Sequence, residues 1–446
     1  MNFENVISSI KKSAEALGIK EYEIYYTMSE DSSVETLKDE VSTLTSNTRG
    51  GLCFRCRVNG KMGYASTELM SESEMHELVE RAVQNAENTE KEDNVGIFEG
   101  SESYGSTNSP EYMPLSPNEM KAIALTIQKE NYAASESVTD GTQSAVITQK
   151  NIIRIVNSNG IDLMNVSGGN IAYSVAVISK DGEYKDDFAM TEIGRLSEKE
   201  LAEKAVKGAL DKLGSESVET GKYNVVISGK QMRTILSVFA DAFSAKTAQA
   251  GMSQLSGKEG EKIAAEIINI TDDPMREGVT VQIPFDAEGV AAYKKTVVDG
   301  GVLKTLLHNR ETALKAGVKT TGNASKGAYY SPIGVSPYAF CIEAGKNTLQ
   351  ELFDRADNGI YVTEVKGLHA GANAVTGEFS IESAGYMIEN GKRSRPVRSF
   401  TISGNFFELL KVIDAISDEL DIGITGGVTV FGSPDVLIKG MSIAGK

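Results

Sequence analysis

Histidine, cysteine and tryptophan are scarce in this sequence of 446 residues, which contains three histidines, three cysteines and no tryptophan. Three cysteines cannot form a disulfide framework, and this is typical of a reducing compartment. No stretch approaches the roughly 20 apolar residues that a membrane-spanning helix needs. The N-terminal stretch MNFENVISSIKKSAEALGI is amphipathic and lacks the apolar region and cleavage site of a signal peptide. We therefore expect a cytoplasmic protein without a membrane partner.

Positive charge is also in short supply. The chain has 45 lysines and arginines against 62 aspartates and glutamates, a formal net charge of −17. A surplus of negative charge repels phosphate backbones unless a basic face is segregated. The densest basic run, KRSRPVR at 392–398, follows an Asn-Gly turn and is typical of a solvated hairpin end. We expect no nucleic-acid partner.

The composition is otherwise that of a folded globular protein, with 40% apolar and 24% charged residues. A chain of this length predicts two or three domains. An amphipathic helix comes first, followed by short alternating strand segments with a hairpin turn at Asn59-Gly60. A second helix then begins at Ser71, where Glu74 three residues later predicts a capping box.

The same order of elements occurs a second time. Strand segments with turns at Asn159-Gly160 and Asp181-Gly182 precede a helix that begins with Ser197 and Glu200, a second predicted capping box. A helix from about Pro117 precedes these strands, after a polar connector. We infer a diverged internal repeat.

The part after Thr220 predicts a strand, a long helix in GKQMRTILSVFADAFSAKTAQ, hairpins at Asp299-Gly300-Gly301 and Asn390-Gly391, a helix in NFFELLKVIDAISDEL and a final strand in PDVLIKGMSI. Strict βαβ alternation is missing. The predicted fold class is α+β: an N-terminal domain of repeated antiparallel meander-plus-helix units and a larger C-terminal α+β domain with hairpins. The expected domains are 1–112, 113–219 and 220–446.

Few residues are available for catalysis. His76-Glu77 in HELVER nearly matches a zinc-protease helix, but Glu80 and Arg81 stand where the second histidine would be needed, so we expect an exposed helix position. Cys53 and Cys56 lie three apart on a predicted strand, which places them on opposite faces and favours structural roles. Motifs for a serine nucleophile, a phosphate loop or a dinucleotide site are absent from the sequence. The residues alone predict no self-sufficient active site.

A resemblance to a known family indicates a function that individual residues do not. The stretches PFDAEGVAAYKKTVVDGGVLKTLLHNRETALKAG, TTGNAS, GIYVTEVKGLHAGANAVTGEFSIESAGYMIENGK and FTISGNFFELLKVIDAISDELD together resemble the TldD/PmbA family, and specifically its PmbA (TldE) branch. The resemblance implies a cytoplasmic two-subunit protease for unfolded peptides. It also implies that a TldD subunit carries zinc on H-E-x-x-x-H and a distant cysteine, while the PmbA subunit completes a closed chamber.

The ligands implied by the TldD branch are missing from this chain. The zinc helix would correspond to RTILSVFADAFSAKTAQ, which has no histidine, and the distant cysteine would fall near LDIGITGGVTVFG, which has none. We therefore expect no metal and no cofactor in this chain, with zinc in a TldD-like partner.

The stretch from Gly367 to Lys392 begins with a Gly- and Ala-rich run and then alternates like a strand. We interpret GEFSIES as an exposed strand that could pair with an extended peptide, so that Gly377→Val should disturb the peptide and leave the fold mostly intact. An internal hairpin without a ligand role remains open. The candidate substrate-binding residues are His369, Gly377, Glu378, Ser380, Gly322 and Asn323.

Two other functions remain open. One is a non-enzymatic peptide-binding or modulator protein acting as a homodimer. The other is a peptidase acting alone, which would need a metal site made from His308 and His369 with an acid such as Glu378. The sequence does not show whether the two histidines meet.

Overall fold

The computed structural model describes residues 3–106, 112–279, 281–424 and 429–446. These residues divide into two compact units. The first comprises 3–102, 112–213 and 326–332, and the second comprises 103–106, 214–279, 281–325, 333–424 and 429–446. Within these ranges, no helix is long and apolar enough to cross a lipid bilayer.

The first unit is built around one antiparallel sheet of order β3-β2-β1-β4-β5-β6. Its elements are α1 (Phe3–Ala16), β1 (Glu21–Leu37), β2 (Glu40–Val58), β3 (Lys61–Thr67), α2 (Glu72–Asn88), α3 (Pro117–Ala134), β4 (Gln143–Asn157), β5 (Asp162–Lys180), β6 (Glu183–Glu192) and α4 (Glu198–Leu210). Each half is therefore a helix, a three-stranded meander and a helix. The two halves join through antiparallel pairing of β1 with β4, which agrees with the repeat inferred from the sequence.

Local turn chemistry explains the meanders. Asn59-Gly60 and Asp181-Gly182 both have positive φ at the two central positions, 50° and 79° in the first and 51° and 80° in the second. This is the left-handed turn that suits the twist of a two-residue hairpin. The strand segments predicted separately before Asn59 merge into two continuous strands of 17 and 19 residues.

The helix caps agree with the sequence only in part. Ser197 and Glu200 form the predicted reciprocal capping box at the start of α4. At α2 the Ser71 side chain accepts from the backbone N–H of Glu74, as predicted, but the Glu74 carboxylate lies 2.6 Å from the Arg81 guanidinium. The full capping box predicted at Ser71 is therefore wrong, because Arg81, two turns further along the helix, pairs with the Glu74 carboxylate.

Each half of the first unit has its own apolar core on the helix side of the sheet. In the first half Ile10, Met75 and Leu78 pack against Phe54 and Cys56. Cys53 is also buried but is not part of this core, and all three cysteines are free. The prediction that Cys53 and Cys56 point to opposite faces of a strand is confirmed.

The second unit contains two six-stranded sheets, ordered β10-β9-β8-β13-β19-β18 and β16-β15-β14-β7-β20-β17, and a two-stranded sheet β11-β12. An additional pairing of β16 with β20 closes the second of these on itself. Its strands are β7 (Gly221–Ile227), β8 (Ile270–Asp272), β9 (Lys295–Asp299), β10 (Val302–Leu303), β11 (Ala324–Ser325), β12 (Gly334–Val335), β13 (Ala339–Ile342), β14 (Gly359–Lys366), β15 (Glu378–Glu389), β16 (Lys392–Asn405), β17 (Ile413–Ile416), β18 (Asp421–Ile424), β19 (Val430–Ser433) and β20 (Val436–Ala444).

The helices of the second unit are short. They are α5 (Gly229–Phe239), α6 (Ala245–Gln249), α7 (Arg310–Ala316), α8 (Leu349–Ala356), α9 (Leu368–Gly371) and α10 (Phe406–Val412), with a 3₁₀ turn at Ala240–Phe243. One apolar core draws residues from both six-stranded sheets and from α5. Parallel and antiparallel pairs occur side by side, as in β14 with β7 and β14 with β15. The α+β class is confirmed.

Two helices predicted in this unit are shorter than expected. The long helix predicted after Ser228 is interrupted after Phe239, and Ser244 caps the separate helix α6. The helix predicted in NFFELLKVIDAISDEL ends at Val412, and Ile413–Ile416 forms β17 instead. Ile413 and Ile416 are buried and pair with β20, so tertiary pairing of β-branched residues outweighs the local helical pattern.

Close packing of α2 on β3 yields a prediction about Gly63. A Cβ atom at Gly63 would lie 1.9 Å from the Ala82 carbonyl oxygen, whereas one at Gly141 would meet nothing closer than 3.6 Å. We expect Gly63→Ala to lower the free energy of unfolding by about 1–3 kcal/mol, because the helix must move away from the strand. Gly141→Ala is the matched control, and denaturant titration of both variants is the measurement. Equal stability of the two variants would contradict the packing of α2 on β3.

Candidate functional site

A groove of about 820 Å³ lies on the second unit, at the start of β15. Its lining residues are Ala370, Gly371, Ala372, Asn373, Ala374, Glu378, Phe379, Ser380, Ser403 and Gly404. Helix α9 with the loop after it forms one wall, and the paired ends of β15 and β16 form the other. The volume falls within the range of small-molecule and peptide-binding pockets.

Small residues are required in the wall formed by α9. A Cβ atom at Gly371 would lie 2.3 Å from the Ser380 carbonyl oxygen, so only glycine allows the two backbones to come this close. The loop that follows is closed by its own hydrogen bonds. The backbone N–H of Asn373 donates to Glu378 O at 2.8 Å, and that of Gly377 donates to Asn373 O at 2.8 Å. The groove is therefore a shaped feature of the backbone.

Strand β15 is not the exposed edge that the sequence predicts. Glu378 to Ser383 pair with β16, and Glu382 and Ser383 also pair with β14. On the side away from β16, Phe379 forms an isolated bridge with Ala372. The prediction of an exposed edge strand in GEFSIES is therefore wrong, because alternation along one strand does not reveal how many neighbours that strand has.

Gly377 is also placed differently from the expectation. It is buried, its φ is +78°, and a Cβ atom there would lie 2.5 Å from Cδ2 of Phe407 and 2.9 Å from Oδ1 of Asn405. Asn405 caps α10, since its side-chain oxygen accepts from the backbone N–H of Phe407 and Glu408. Gly377 thus holds the strand end against α10, and the expectation that Gly377→Val would leave the fold mostly intact is wrong.

The other candidate residues lie in two places. Glu378 and Ser380 are exposed and line the groove, and His369 is exposed on α9. Gly322 and Asn323 do not line it. Asn323 is fully buried, where its side chain donates to Asp272 at 2.7 Å and accepts from Lys295 at 3.0 Å.

The buried pair of Asp272 and Lys295 is held by its surroundings. The Asp272 carboxylate receives Lys295 Nζ at 3.1 Å and also accepts from the backbone N–H of Tyr338 and Ala339. A buried ion pair is tolerated when its remaining hydrogen-bonding capacity is filled in this way. Asn323 completes this hydrogen-bond network, so its role is structural.

Sequence reasoning missed Ser403 and Gly404, which form the β16 side of the groove. A signal for this position was present, since glycine in a strand often marks a close approach of a ligand or another backbone. Gly404 stands in such a stretch, TISGN, as the next-to-last residue of β16. The Gly- and Ala-rich run before β15, which the sequence marks as distinctive, forms the opposite wall.

The histidines do not gather into a metal site in the described ranges. His76 is exposed on α2, as predicted, and its Nε2 lies 3.4 Å from the Glu80 carboxylate. His308 is buried, and His369 is exposed on α9. Across the described residues, no group of three or more histidine, cysteine, aspartate or glutamate side chains could hold a metal ion.

The segment RTILSVFADAFSAKTAQ carries apolar side chains where the resemblance implies ligands. Ile235, Leu236 and Phe239 of α5 are fully buried in the core. Cys341 lies on β13, and burial raises the pKa of its thiol to about 12. A protonated, buried thiol is a poor metal ligand. The donor set of these described residues therefore does not fit zinc.

Comparison with known proteins defines the class of this chain. Residues 220–445 match the PmbA/TldA metallopeptidase C-terminal domain, and residues 22–86 match PmbA/TldA metallopeptidase domain 1. The first match alone covers more than half of the 446 residues. The chain belongs to the PmbA/TldD family of metallopeptidase-like proteins, which confirms the resemblance seen in the sequence.

Three individual proteins illustrate the similarity. "Uncharacterized protein MJ0231" from Methanocaldococcus jannaschii is 28% identical over 94% of this chain and 95% of its own length. "Metalloprotease PmbA homolog" from Haemophilus influenzae is 26% identical over 87% of this chain and 85% of its own length. The crystal structure of TldE from Thermococcus kodakarensis superposes with a TM-score of 0.87 at 22% identity, covering 99% of each chain, and at this identity it shows the fold alone.

Gly377→Val should now destabilise the second unit. A β-branched residue at positive φ is strained, and its side chain would collide with the Phe407 ring. We therefore expect the free energy of unfolding to fall by about 1–3 kcal/mol. Ser380→Val, at an exposed position of β15, is the control and should be close to neutral. Thermal and denaturant unfolding of both variants provide the measurement. A Gly377→Val protein as stable as the control would contradict the assigned packing.

The positions of the histidines and cysteines yield a prediction about zinc binding. The isolated chain should retain no stoichiometric zinc after dialysis, because its described histidines are dispersed and its cysteines are buried. Elemental analysis of the purified protein measures this. One tightly held zinc per chain that is lost in His308→Ala or His369→Ala would overturn the prediction and favour a peptidase that acts alone.

Proposed function

We propose that this chain is the PmbA/TldE-like subunit, without a metal site, of a two-subunit cytoplasmic zinc peptidase that cleaves unfolded peptides. A TldD-like partner supplies the zinc and the general base. The observation that carries the proposal is the apolar character of α5, since Ile235, Leu236 and Phe239 occupy the segment where the family resemblance implies metal ligands. The name of the Haemophilus influenzae relative, a metalloprotease PmbA homolog, supports the family activity.

The groove gives this subunit its part in the reaction. An extended peptide can lie along the ends of β15 and β16, where Glu378, Ser380 and Ser403 present polar groups and the α9 wall presents only small side chains and Asn373. Small side chains in the wall leave room for varied peptide side chains, and the polar side chains of Glu378, Ser380 and Ser403 can hydrogen-bond to the peptide backbone. A tightly folded protein has no free extended segment to place in the groove. We therefore expect flexibility, more than sequence, to select the substrate.

The partner brings the chemistry of hydrolysis. A zinc ion lowers the pKa of its bound water and polarises the scissile carbonyl when it is bound in the partner. The residues of this chain hold and orient the peptide, which converts the encounter of peptide and catalytic group into a step within one complex. We expect neither subunit to be active alone.

Reconstitution tests the proposal. The chain is mixed with a TldD-like partner and offered an unfolded peptide or a tightly folded protein. We expect chelator-sensitive cleavage of the unfolded peptide by the pair only, because zinc, its water and the activating glutamate are supplied together. Each subunit alone and a partner substituted at its zinc-helix glutamate are the controls. Equal cleavage by this chain without a partner would refute the proposal.

A variant pair tests the groove within the same assay. Ser380→Arg places a long side chain in the groove, and Ser442→Arg places the same side chain at an exposed position of β20 that does not line it. We expect the first variant to raise KM for the peptide at least tenfold and the second to leave it unchanged, with both proteins assembling normally. Tight peptide binding by this chain with no cleavage in any pair would instead favour a homodimeric binding or modulator protein.

A further inference from the structure

The groove at the start of β15 carries charge of one sign. Among the described residues that line it, Glu378 is the only one with an ionisable side chain, and the others are alanine, glycine, asparagine, serine and phenylalanine. The charge that an occupant of the groove meets in this lining therefore comes from a single carboxylate.

The Glu378 carboxylate has no cationic partner within the described ranges. Its one side-chain hydrogen bond comes from the Thr376 hydroxyl, with Oγ1 3.4 Å from Oε2. The backbone beneath it is fixed, since the Glu378 carbonyl oxygen accepts from the N–H of Asn373 at 2.8 Å and the residue pairs with Asn405 of β16. A carboxylate accepts at about four lone-pair positions. Most of that capacity is therefore open to an occupant of the groove.

Two hydroxyl groups lie on the same face of the sheet. Ser380 is two residues further along β15, and Ser403 is its pairing partner on β16. Their hydroxyls make no hydrogen bond to other described residues. The Asn373 amide oxygen is already used by the N–H groups of Val375 and Thr376. This face is therefore rich in open oxygen acceptors and suits a group with several N–H donors.

The opposite wall suits the stem that carries such a group. Ala370, Ala372 and Ala374 present methyl groups on the α9 side of the groove. Lysine and arginine bury their methylene stems along apolar surface while the charged head stays in polar surroundings. A hydrogen bond from a charged donor to a carboxylate is roughly twice as strong as one between neutral groups. A cationic side chain therefore complements both walls of the groove.

We propose that the groove selects, among flexible peptides, those with a lysine or arginine side chain that reaches Glu378, so that Glu378 determines specificity. The inference rests on the groove being the peptide site of the proposed function, and it adds a charge preference that backbone contacts do not provide. The N-terminal ammonium of a peptide has the same charge and lacks the methylene stem.

Binding of peptides to this chain alone measures the preference without catalysis. Flexible alanine and serine peptides, acetylated and labelled with a neutral fluorophore, carry lysine, glutamine or glutamate at one central position, and fluorescence anisotropy gives each Kd. We expect the lysine peptide to bind at least threefold more tightly than the glutamine peptide, and the glutamate peptide to bind most weakly. Raising the salt concentration should reduce these differences, because ions screen a charge pair in an open groove.

A glutamine peptide with a free N-terminus separates the two sources of positive charge. We expect it to bind like the acetylated glutamine peptide, because its ammonium has no stem to lie along the alanines. Binding as tight as that of the lysine peptide would overturn the assignment to a side chain.

Substitutions at Glu378 make the test specific. Glu378→Gln should remove the preference for lysine, and Glu378→Lys should reverse it in favour of glutamate. Glu261→Gln is the matched control: it removes one exposed carboxylate that does not line the groove and should leave the preference unchanged. Because both positions are exposed, we expect all three variants to fold, which thermal unfolding checks.

The outcomes separate this inference from the peptidase function. A preference for lysine that survives in Glu378→Lys would overturn the inference and assign the preference to the net charge of −17. Equal affinity of the unsubstituted chain for the three acetylated peptides, or no binding of any of them, would overturn it as well. Charge-dependent binding without cleavage by the reconstituted pair would support the inference and refute the peptidase function alone.

Discussion

An aromatic cluster beneath the groove is the contact on which the second unit depends. The Phe239 and Phe406 rings stack with centroids 4.6 Å apart, and Phe379 joins them with its centroid 6.4 Å from that of Phe239. These rings come from α5, α10 and β15, so one contact fixes three elements that are far apart in sequence. Offset aromatic pairs contribute about 0.5–1.5 kcal/mol beyond the burial of their area.

This cluster also connects α5 with the groove. Phe239 ends the helix that replaces the ligand-bearing segment implied by the family resemblance, and Phe379 lines the groove. Phe239 stacks on Phe406 and approaches Phe379, so α5 supports a residue that lines the groove.

The sequence predicts those features that short-range chemistry decides. Asn-Gly and Asp-Gly turns need positive φ at neighbouring positions, and the structure has them at Asn59, Asp181 and Asn390. The cap of α4 follows from Ser197 and Glu200 for the same reason. Such features depend on residues within one turn of each other, and they fail where another partner competes, as Arg81 does for Glu74 at the start of α2.

Features set by distant partners could not be read in this way. Strand β15 alternates like an edge strand and yet has neighbours on both sides, and Gly377 looks permissive until Phe407 is placed beside it. The residues of the groove likewise divide into those that the local sequence indicates and those that only distant pairing places there. Glu378 and Ser380 were identified because they lie within the distinctive stretch, while Ser403 and Gly404 reach the groove only through the pairing of β16.

The short segment 326–332 belongs to the first unit although it is encoded far downstream. Tyr329 packs on Gly51 and donates to Glu68 at 2.8 Å, and Lys326 Nζ lies 4.6 Å from the centre of the Tyr25 ring. At about 5–20 residues per second, the ribosome needs roughly 13–50 s after β3 to deliver this segment. Until then a nascent chain lacks these contacts at Tyr25, Gly51 and Glu68, so the first unit is completed only after most of the second unit has been synthesised.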